Sequence, residues 1–282
     1  MGPTNFILNL AGLLLWFNWR SLGFDPLGKT TAATLVGTLR RAEPRRLKRW
    51  HLLAALGVLL LLRALLYWQL GPAVDWTPHF HLPGIDIAIP FRSDNWWRMV
   101  LFSGLSFAAL LAACYLWLLL FSIVNGRKSD GGSLQRMVRS HLGRVDRWPW
   151  AVKLLLPLLV GLVCWYLLNL LLARLGILPS AHSRIHRVEQ AAVVGLGSYL
   201  SWRYLIGGVL ALHLVASYVY LGNQPFWSFV TYTGRNLLRP LRRVPLRLAK
   251  VDFAPLMEMA LVFLLAELAE RGLTELYQRL PL

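Results

Sequence analysis

The chain has 282 residues, of which 56% are hydrophobic and 15% are charged, and its mean hydropathy is +0.50. This composition is too hydrophobic for a soluble domain, so it excludes that class and favours an integral membrane protein. The 30 Lys and Arg residues outnumber the 13 Asp and Glu residues, which gives a net charge of +17. Because membrane proteins collect basic residues in their cytoplasmic loops, topology accounts for this charge, and we expect no nucleic acid as a partner.

Six hydrophobic stretches follow one another along the chain. They cover residues 5–19, 52–70, 99–124, 154–172, 204–221 and 255–268. Crossing the hydrocarbon takes about 20 helical residues, so the first and last stretches are short. No positively charged segment with a small-residue cleavage site marks a signal peptide, and we expect the first stretch to be retained. The sequence predicts an all-α integral membrane protein with about six transmembrane helices.

These stretches come in pairs joined by a basic segment, and the pattern occurs three times. An internal repeat of this kind predicts the architecture before any motif is considered. We predict three repeated two-helix hairpins with basic amphipathic interfacial segments on the cytoplasmic side. The predicted hairpins cover residues 1–70, 98–174 and 202–282, separated by an extracytoplasmic loop at 71–97 and an extracytoplasmic connection at 175–201.

The distribution of charge predicts the orientation of the spans. Residues 20–51, 125–153 and 222–254 hold 8, 7 and 6 Lys or Arg, with 5 acidic residues in total. The remaining connections and the C-terminal segment hold 8 basic and 7 acidic residues. Because basic loops stay on the cytoplasmic side, we predict that both termini are extracytoplasmic.

Each basic connection is longer than a simple link between two helices requires. In the second, Leu134, Met137, Val138 and Leu142 recur at helical spacing, which is typical of a helix lying at the lipid headgroups. Membrane lipids with anionic headgroups at the inner face are therefore predicted partners. The predicted headgroup contacts are Arg40, Arg41, Arg45, Arg46, Arg136, Arg139, Arg144, Arg239, Arg242 and Arg243. These arginines have two interpretations. They only anchor the basic segments to the membrane and set the topology, or they recruit a partner.

The third hairpin carries a signature within residues 222–268. It combines Gly222-Asn223-Gln224-Pro225, then Arg239-Pro240-Leu241-Arg242-Arg243-Val244-Pro245, then Val251-Asp252-Phe253-Ala254-Pro255-Leu256. This pattern resembles the YggT family, in which an Asn-Pro pair precedes a Pro-x-Arg-Arg-x-x-Pro stretch and an Asp-x-Ser-Pro-like entry into the next helix. The signature residues are Asn223, Pro225, Pro240, Arg243, Pro245, Asp252 and Pro255. The two upstream hairpins keep the layout in a more degenerate form.

The resemblance implies a multi-pass protein of the bacterial inner (cytoplasmic) membrane. It also implies a role in envelope processes, osmotic tolerance or the assembly of membrane complexes, with no catalytic activity and no cofactor. From the residues themselves, we expect Pro240 and Pro245 to break the interfacial helix. Asp252 and Pro255 are expected to provide the N-cap and first turn of the last span.

Few ionisable side chains fall inside the predicted spans. We expect Arg63 to snorkel toward the outer end of its span. Glu258 has two interpretations: it pairs with Lys250 or Arg247 at the inner surface, or it forms part of a cation path with Asp252.

Two polar residues in spans, Asn169 and His213, are best explained by hydrogen bonds between helices. The two cysteines, Cys114 and Cys164, also fall inside spans. We expect both to be buried as small apolar side chains and to form no disulfide. Gly195-Leu196-Gly197 lacks the third glycine of a dinucleotide site, and we predict no enzyme activity.

Histidines are the remaining candidates for a metal site. His79 and His81 form one pair and His182 and His186 form another, but no acidic or thiol cluster accompanies either pair. Two arginines lie close to the second pair and oppose a bound cation. We predict no metal and no cofactor.

The first outer loop has the pattern of a short strand. Ile85, Ile87 and Ile89 alternate with other residues, which predicts a strand ending at Pro90. The Trp96-Trp97 pair is expected to place the start of the next helix at the membrane interface. The loop serves either as a docking surface or as a cover packed over the helices.

Two classes of function remain open. The first is a non-enzymatic scaffold, assembly or accessory subunit that packs against other integral membrane proteins or against itself. It is favoured by 13 Trp residues, by few charges within the spans, and by glycines that permit close helix packing. These glycines are Gly104, Gly161, Gly195, Gly197, Gly207 and Gly208. The alternative is an ion or solute transport protein linked to osmotic adaptation, which needs a polar path.

Overall fold

The computed structural model describes residues 2–21, 49–73, 76–82, 84–126, 133–178, 183–219, 222, 224–239, 247–248 and 251–280. Helices dominate this part of the chain, as predicted. The α-helices are α1 (Gly2–Ser21), α2 (Arg49–Ala73), α3 (Trp96–Asn125), α4 (Ser133–Leu142), α5 (Trp150–Arg174), α6 (Arg184–Gly197), α7 (Trp202–Tyr218), α8 (Pro225–Leu237) and α9 (Ala254–Arg279). Two 3₁₀ segments, Gly143–Arg147 and Ser198–Ser201, follow α4 and α6.

Two short two-stranded sheets complete the described structure. One contains β1 (His79–His81) and β2 (Ala88–Pro90), and the other contains β3 (Arg247–Leu248) and β4 (Val251–Asp252), which are antiparallel. The predicted strand ending at Pro90 is confirmed for its last three residues. The preceding residues form a turn in which the main-chain N–H of Leu82 donates to the carbonyl of Ile87 at 3.0 Å.

Gly84 in this turn has a φ of 75°. A Cβ atom at this position would overlap the main chain of Gly197. Both the left-handed backbone and the close approach therefore require glycine at residue 84.

Four helical stretches of the described chain are long and apolar enough to cross a membrane: Trp50–Ala73, Trp96–Asn125, Trp150–Arg174 and Arg184–Tyr218. Most side chains in these stretches are not buried by the protein itself, as expected of helices that face lipid or other helices. Helices α1 and α9 cover the other two predicted spans but fall outside this set. The count of six spans and the threefold repeat therefore stay predictions.

The chain divides into two compact units. The first contains Met1–Phe80 and Pro90–Leu111, and the second contains His81–Ile89 and Ala112–Leu282. In the first unit, α1 and α2 pack together with the first half of α3. The aromatic rings of Tyr67, Trp76, Phe91 and Phe102 form part of its core.

In the second unit, α5 packs along α6. An added Cβ at Gly161 would lie 2.9 Å from the Cα of Gly195, so two glycines allow the close helix approach that the sequence predicts. The expected hydrogen bond of Asn169 is also present, because its Nδ2 lies 3.5 Å from Oε1 of Gln190. Most of the segment predicted as the connection at 175–201 is a helix packed on α5 and continuous with the span that follows.

Helix α9 packs against α7 in the same unit, where Gly207 lies beneath the ring of Phe263. Its start corrects one sequence prediction. The N-cap is Phe253 and not Asp252, which lies in β4. The prediction for Pro255 is confirmed, since it occupies the first turn, where the missing N–H costs no helical hydrogen bond.

Candidate functional site

Arg63 lies near the middle of the candidate span Trp50–Ala73, and its relative exposure is 0%. The prediction that it snorkels to the membrane interface is therefore wrong. Its side chain points into the first unit because polar acceptors on two neighbouring helices surround it. An arginine at the centre of a membrane helix costs about 3 kcal/mol on insertion scales, so such residues mark candidate sites.

Three acceptors hold the guanidinium. Its Nε donates to the hydroxyl of Ser103 at 3.0 Å. One terminal nitrogen donates to Oδ1 of Asn9, and the other donates to the main-chain carbonyl of Ser103. The Ser103 hydroxyl in turn donates to the carbonyl of Leu60 at 2.8 Å. The side chain of Arg63 thus joins α2 to both α1 and α3.

A second layer of polar side chains extends this cluster along α1. Asn9 Nδ2 donates to the hydroxyl of Ser106 at 3.0 Å, and Asn5 Nδ2 donates to the same oxygen at 3.3 Å. The phenol of Tyr67 donates to Oδ1 of Asn5 at 3.1 Å. The polar cluster, by which we mean Asn5, Asn9, Arg63, Tyr67, Ser103 and Ser106, therefore satisfies most of its own hydrogen bonds.

The sequence itself contains a signal for this cluster. Asn5 and Asn9 are four residues apart, and Ser103 and Ser106 are three apart, so each pair lies on one face of its helix. Two polar faces in apolar helices indicate a buried polar contact. The sequence pattern does not identify the residue between these two polar faces, because that depends on packing between segments that are far apart in sequence.

The charge of Arg63 is not matched by a carboxylate in the described part of the first unit. Asp94 is the acidic residue there, and it lies 3.6 Å from Arg92 at the surface. Arg63 is instead stabilised by neutral oxygens and by the ring of Tyr67, whose centroid is 5.9 Å away. Chemically, the cluster can hold three helices together through hydrogen bonds.

The second unit has a polar network of a different kind, at the ends of α3 and α5. The Lys153 ammonium donates to the hydroxyl of Ser122 at 2.7 Å, and this hydroxyl donates to Oδ1 of Asp146 at 2.6 Å. Asp146 also lies 3.7 Å from Lys153 and 3.7 Å from Arg139. Lys153 is buried, so Asp146 compensates a cation that has left water.

The predicted headgroup contacts divide into three groups. Arg40, Arg41, Arg45, Arg46, Arg242 and Arg243 lie outside the described residues. Arg136, Arg144 and Arg239 are exposed, as that prediction requires. Arg139 is held by Asp146 and is half-buried. The predicted amphipathic helix is present as α4, whose Val138 and Leu142 are buried beside Leu119 of α3.

The residues of the family signature are described only in part. Asn223, Pro240, Arg243 and Pro245 lie outside the described residues. Pro225 and Pro255 each occupy the first turn of a helix, α8 and α9 respectively. These two prolines therefore coincide with helix starts, which is a structural role, whereas Asp252 lies in β4.

No group of three or more His, Cys, Asp and Glu side chains able to hold a metal ion occurs among the described residues. His79 and His81 lie on the exposed side of β1, and His182 lies outside the described residues. Both cysteines are free thiols. The expectation that both are buried is wrong, because Cys114 is half-buried and Cys164 is exposed on α5.

Glu258 is the ionisable residue in the first half of α9. Its Oε2 is buried and has no hydrogen-bond partner in the described chain. The side chains of Lys250, Arg247 and Asp252 are not described, so both interpretations of Glu258 stay open.

Comparisons with protein-family models, with curated proteins and with solved structures found no match for this chain. The resemblance to the YggT family therefore stays a prediction.

Proposed function

We propose that this chain is a non-enzymatic, YggT-like protein of the bacterial inner membrane that acts as a scaffold, assembly or accessory subunit of a membrane complex. The observation that carries this proposal is the polar cluster around Arg63. Polar side chains within a transport path contact water or substrate, whereas these side chains hydrogen-bond to one another and join three helices. This arrangement supports a structural role.

Exposed apolar surface on the helices supports the same role. Leu264 and Leu268 of α9 are 60% and 58% exposed, and Leu159 and Leu167 of α5 are 57% and 58% exposed. Each pair lies on one face of its helix and is available to lipid or to helices of another protein. Pairs of small residues already bring α5 and α6 into close contact, which shows that this chain uses backbone-to-backbone packing between helices.

The test is purification of the native protein in a mild detergent, with measurement of its size and mass spectrometry of the proteins that accompany it. An accessory subunit is expected to elute with other membrane subunits in a fixed ratio. Elution as a single species or as a self-associated species, without other subunits, would contradict the accessory role.

Transport of an ion or solute linked to osmotic adaptation is the second candidate. The observation that favours it is the buried Glu258 oxygen without a described partner, because carboxylates inside membrane helices commonly bind cations or protons. The test is ion flux in proteoliposomes for the double variant Glu258→Gln and Asp252→Asn. Loss of a flux that the unmodified protein supports would establish transport.

A further inference from the structure

We propose that the exposed arginines of α4, the following 3₁₀ segment and α8 form a binding face for anionic phospholipids. The basic face consists of Arg136, Arg144, Arg147, Arg235 and Arg239. This inference concerns a lipid ligand and goes beyond the proposed role in a protein complex.

The position of these elements places them at one membrane surface. Helix α4 and the 3₁₀ segment Gly143–Arg147 connect the end of the α3 span to the start of the α5 span, so they lie where both spans leave the hydrocarbon. Helix α8 lies at the same place, because Asn125 at the end of α3 donates to Oγ1 of Thr233 at 3.0 Å. The rings of Phe121 and Phe229 also meet there, with centroids 5.2 Å apart.

All five arginines of the basic face are exposed, and none pairs with a carboxylate of the described residues. Asp146 is the acidic residue in the described parts of this region, and its oxygens are directed to Ser122, Lys153 and Arg139. The guanidinium groups are therefore available to solvent or lipid. Their planar geometry suits two-point contact with phosphate oxygens.

Aromatic and apolar side chains at the same surface favour lipid over a soluble anion. Trp148 and Trp150 are 44% and 68% exposed, and Phe226 and Tyr232 of α8 are 44% and 42% exposed. Trp and Tyr at such positions lie at the level of the headgroups. A free phosphate would use the arginines alone, whereas a bilayer surface uses both the arginines and the aromatic rings.

The basic face differs from the set predicted from sequence in a way that can be tested. Arg139 is excluded, because Asp146 holds it. Arg147 and Arg235 are added, because both are exposed, Arg147 shares its 3₁₀ segment with Arg144, and Arg235 lies in the last turn of α8, four residues before Arg239.

The experiment uses the full-length protein in a neutral detergent, titrated with phosphatidylglycerol or with phosphatidylcholine. Native mass spectrometry counts the lipids that remain bound, and the ratio of the two apparent affinities is the readout. The test variant carries Arg136→Gln, Arg144→Gln, Arg235→Gln and Arg239→Gln. The matched control carries Arg174→Gln, Arg184→Gln, Arg271→Gln and Arg279→Gln, which removes the same charge from exposed positions of the same unit.

We expect the preference for phosphatidylglycerol to fall by about tenfold or more in the test variant, since each arginine near a membrane surface adds to the attraction for anionic lipid. The control is expected to retain the preference. Equal preferences in the test variant and the control would overturn the proposal.

If the test variant does not fold, the four corresponding Arg→Lys substitutions keep the charge. The preference for phosphatidylglycerol must then persist in the Arg→Lys variant and weaken with added salt. A preference that is insensitive to salt would also overturn the proposal. Because the measurement uses the isolated chain, its outcome is independent of whether a partner complex exists.

Discussion

The guanidinium of Arg63 donates to both the hydroxyl and the main-chain carbonyl of Ser103, with the hydroxyl at 3.0 Å from Nε. Two bonds to one residue fix the orientation of the planar group, and the remaining terminal nitrogen is then directed to Asn9. The hydrogen bonds of a single buried charge on α2 thus reach both α1 and α3. The stability of the first unit should depend on the acceptors around it.

Replacing Asn9 by Ala removes the acceptor that α1 provides. We expect a loss of about 1–3 kcal/mol in the free energy of unfolding, because a buried guanidinium N–H is left without a partner. The measurement is unfolding of the purified protein by titration with a denaturing detergent. Asn18→Ala on the same helix is the control, since Asn18 is exposed. It should change stability by no more than about 0.5 kcal/mol. Equal effects of the two substitutions would contradict a structural role for the polar cluster.

Replacing Asp146 by Ala should destabilise the second unit by about 1–3 kcal/mol, because the buried Lys153 ammonium loses its carboxylate. Adding Lys153→Met to this variant should restore part of the stability, since the unpaired cation is then absent. Both effects are measured by thermal unfolding followed by circular dichroism. Asp94→Ala, which breaks the exposed pair with Arg92, should have almost no effect. A double variant less stable than Asp146→Ala alone would count against this network.

Glycines of the helices should differ sharply in their tolerance to alanine. Gly161→Ala and Gly195→Ala should each cost about 1–3 kcal/mol, because the added methyl group would lie within 3 Å of the facing helix. Gly104→Ala and Gly208→Ala meet no atom within 4 Å in the described structure. They should be neutral or stabilise their helices by up to about 1 kcal/mol. Thermal unfolding of the four variants checks the order, and a uniform effect would contradict the packing of α5 on α6.

The predicted topology can be tested with single cysteines. In a protein with Cys114→Ala and Cys164→Ala, Arg144→Cys reports on the basic face and Arg184→Cys reports on the start of α6. Both positions are exposed. On intact cells, a maleimide that does not cross the membrane should label residue 184 and leave residue 144 unlabelled, because basic segments stay in the cytoplasm. The reverse pattern would invert the predicted orientation.

Local sequence patterns predicted the elements that depend on local chemistry. The apolar lengths of α3 and α5, the helical spacing of Val138 and Leu142 in α4, and the helix start at Trp96 are all confirmed. Their signals lie within one segment, where periodicity and length decide the structure.

Features that depend on contacts between distant segments were missed. The burial of Arg63 depends on Asn9 and Ser103, which lie 54 and 40 residues away. Helix α6 begins with a polar turn that is typical of a loop, yet its small residues Ala191 and Gly195 are buried. Its packing depends on Gly161 in another helix, so periodicity within the segment could not predict it.

Photo-crosslinking tests most directly the proposal that this protein contacts other membrane subunits through its exposed helix faces. A photoreactive residue is placed in living cells at Leu264 or Leu268 of α9, or at Leu159 or Val163 of α5, all of which are more than half exposed. We predict that adjacent positions on at least one helix form an adduct of one defined protein, and that this protein also accompanies the chain during purification in a fixed ratio. Adducts with lipid alone at all four positions would contradict the proposed role as a subunit.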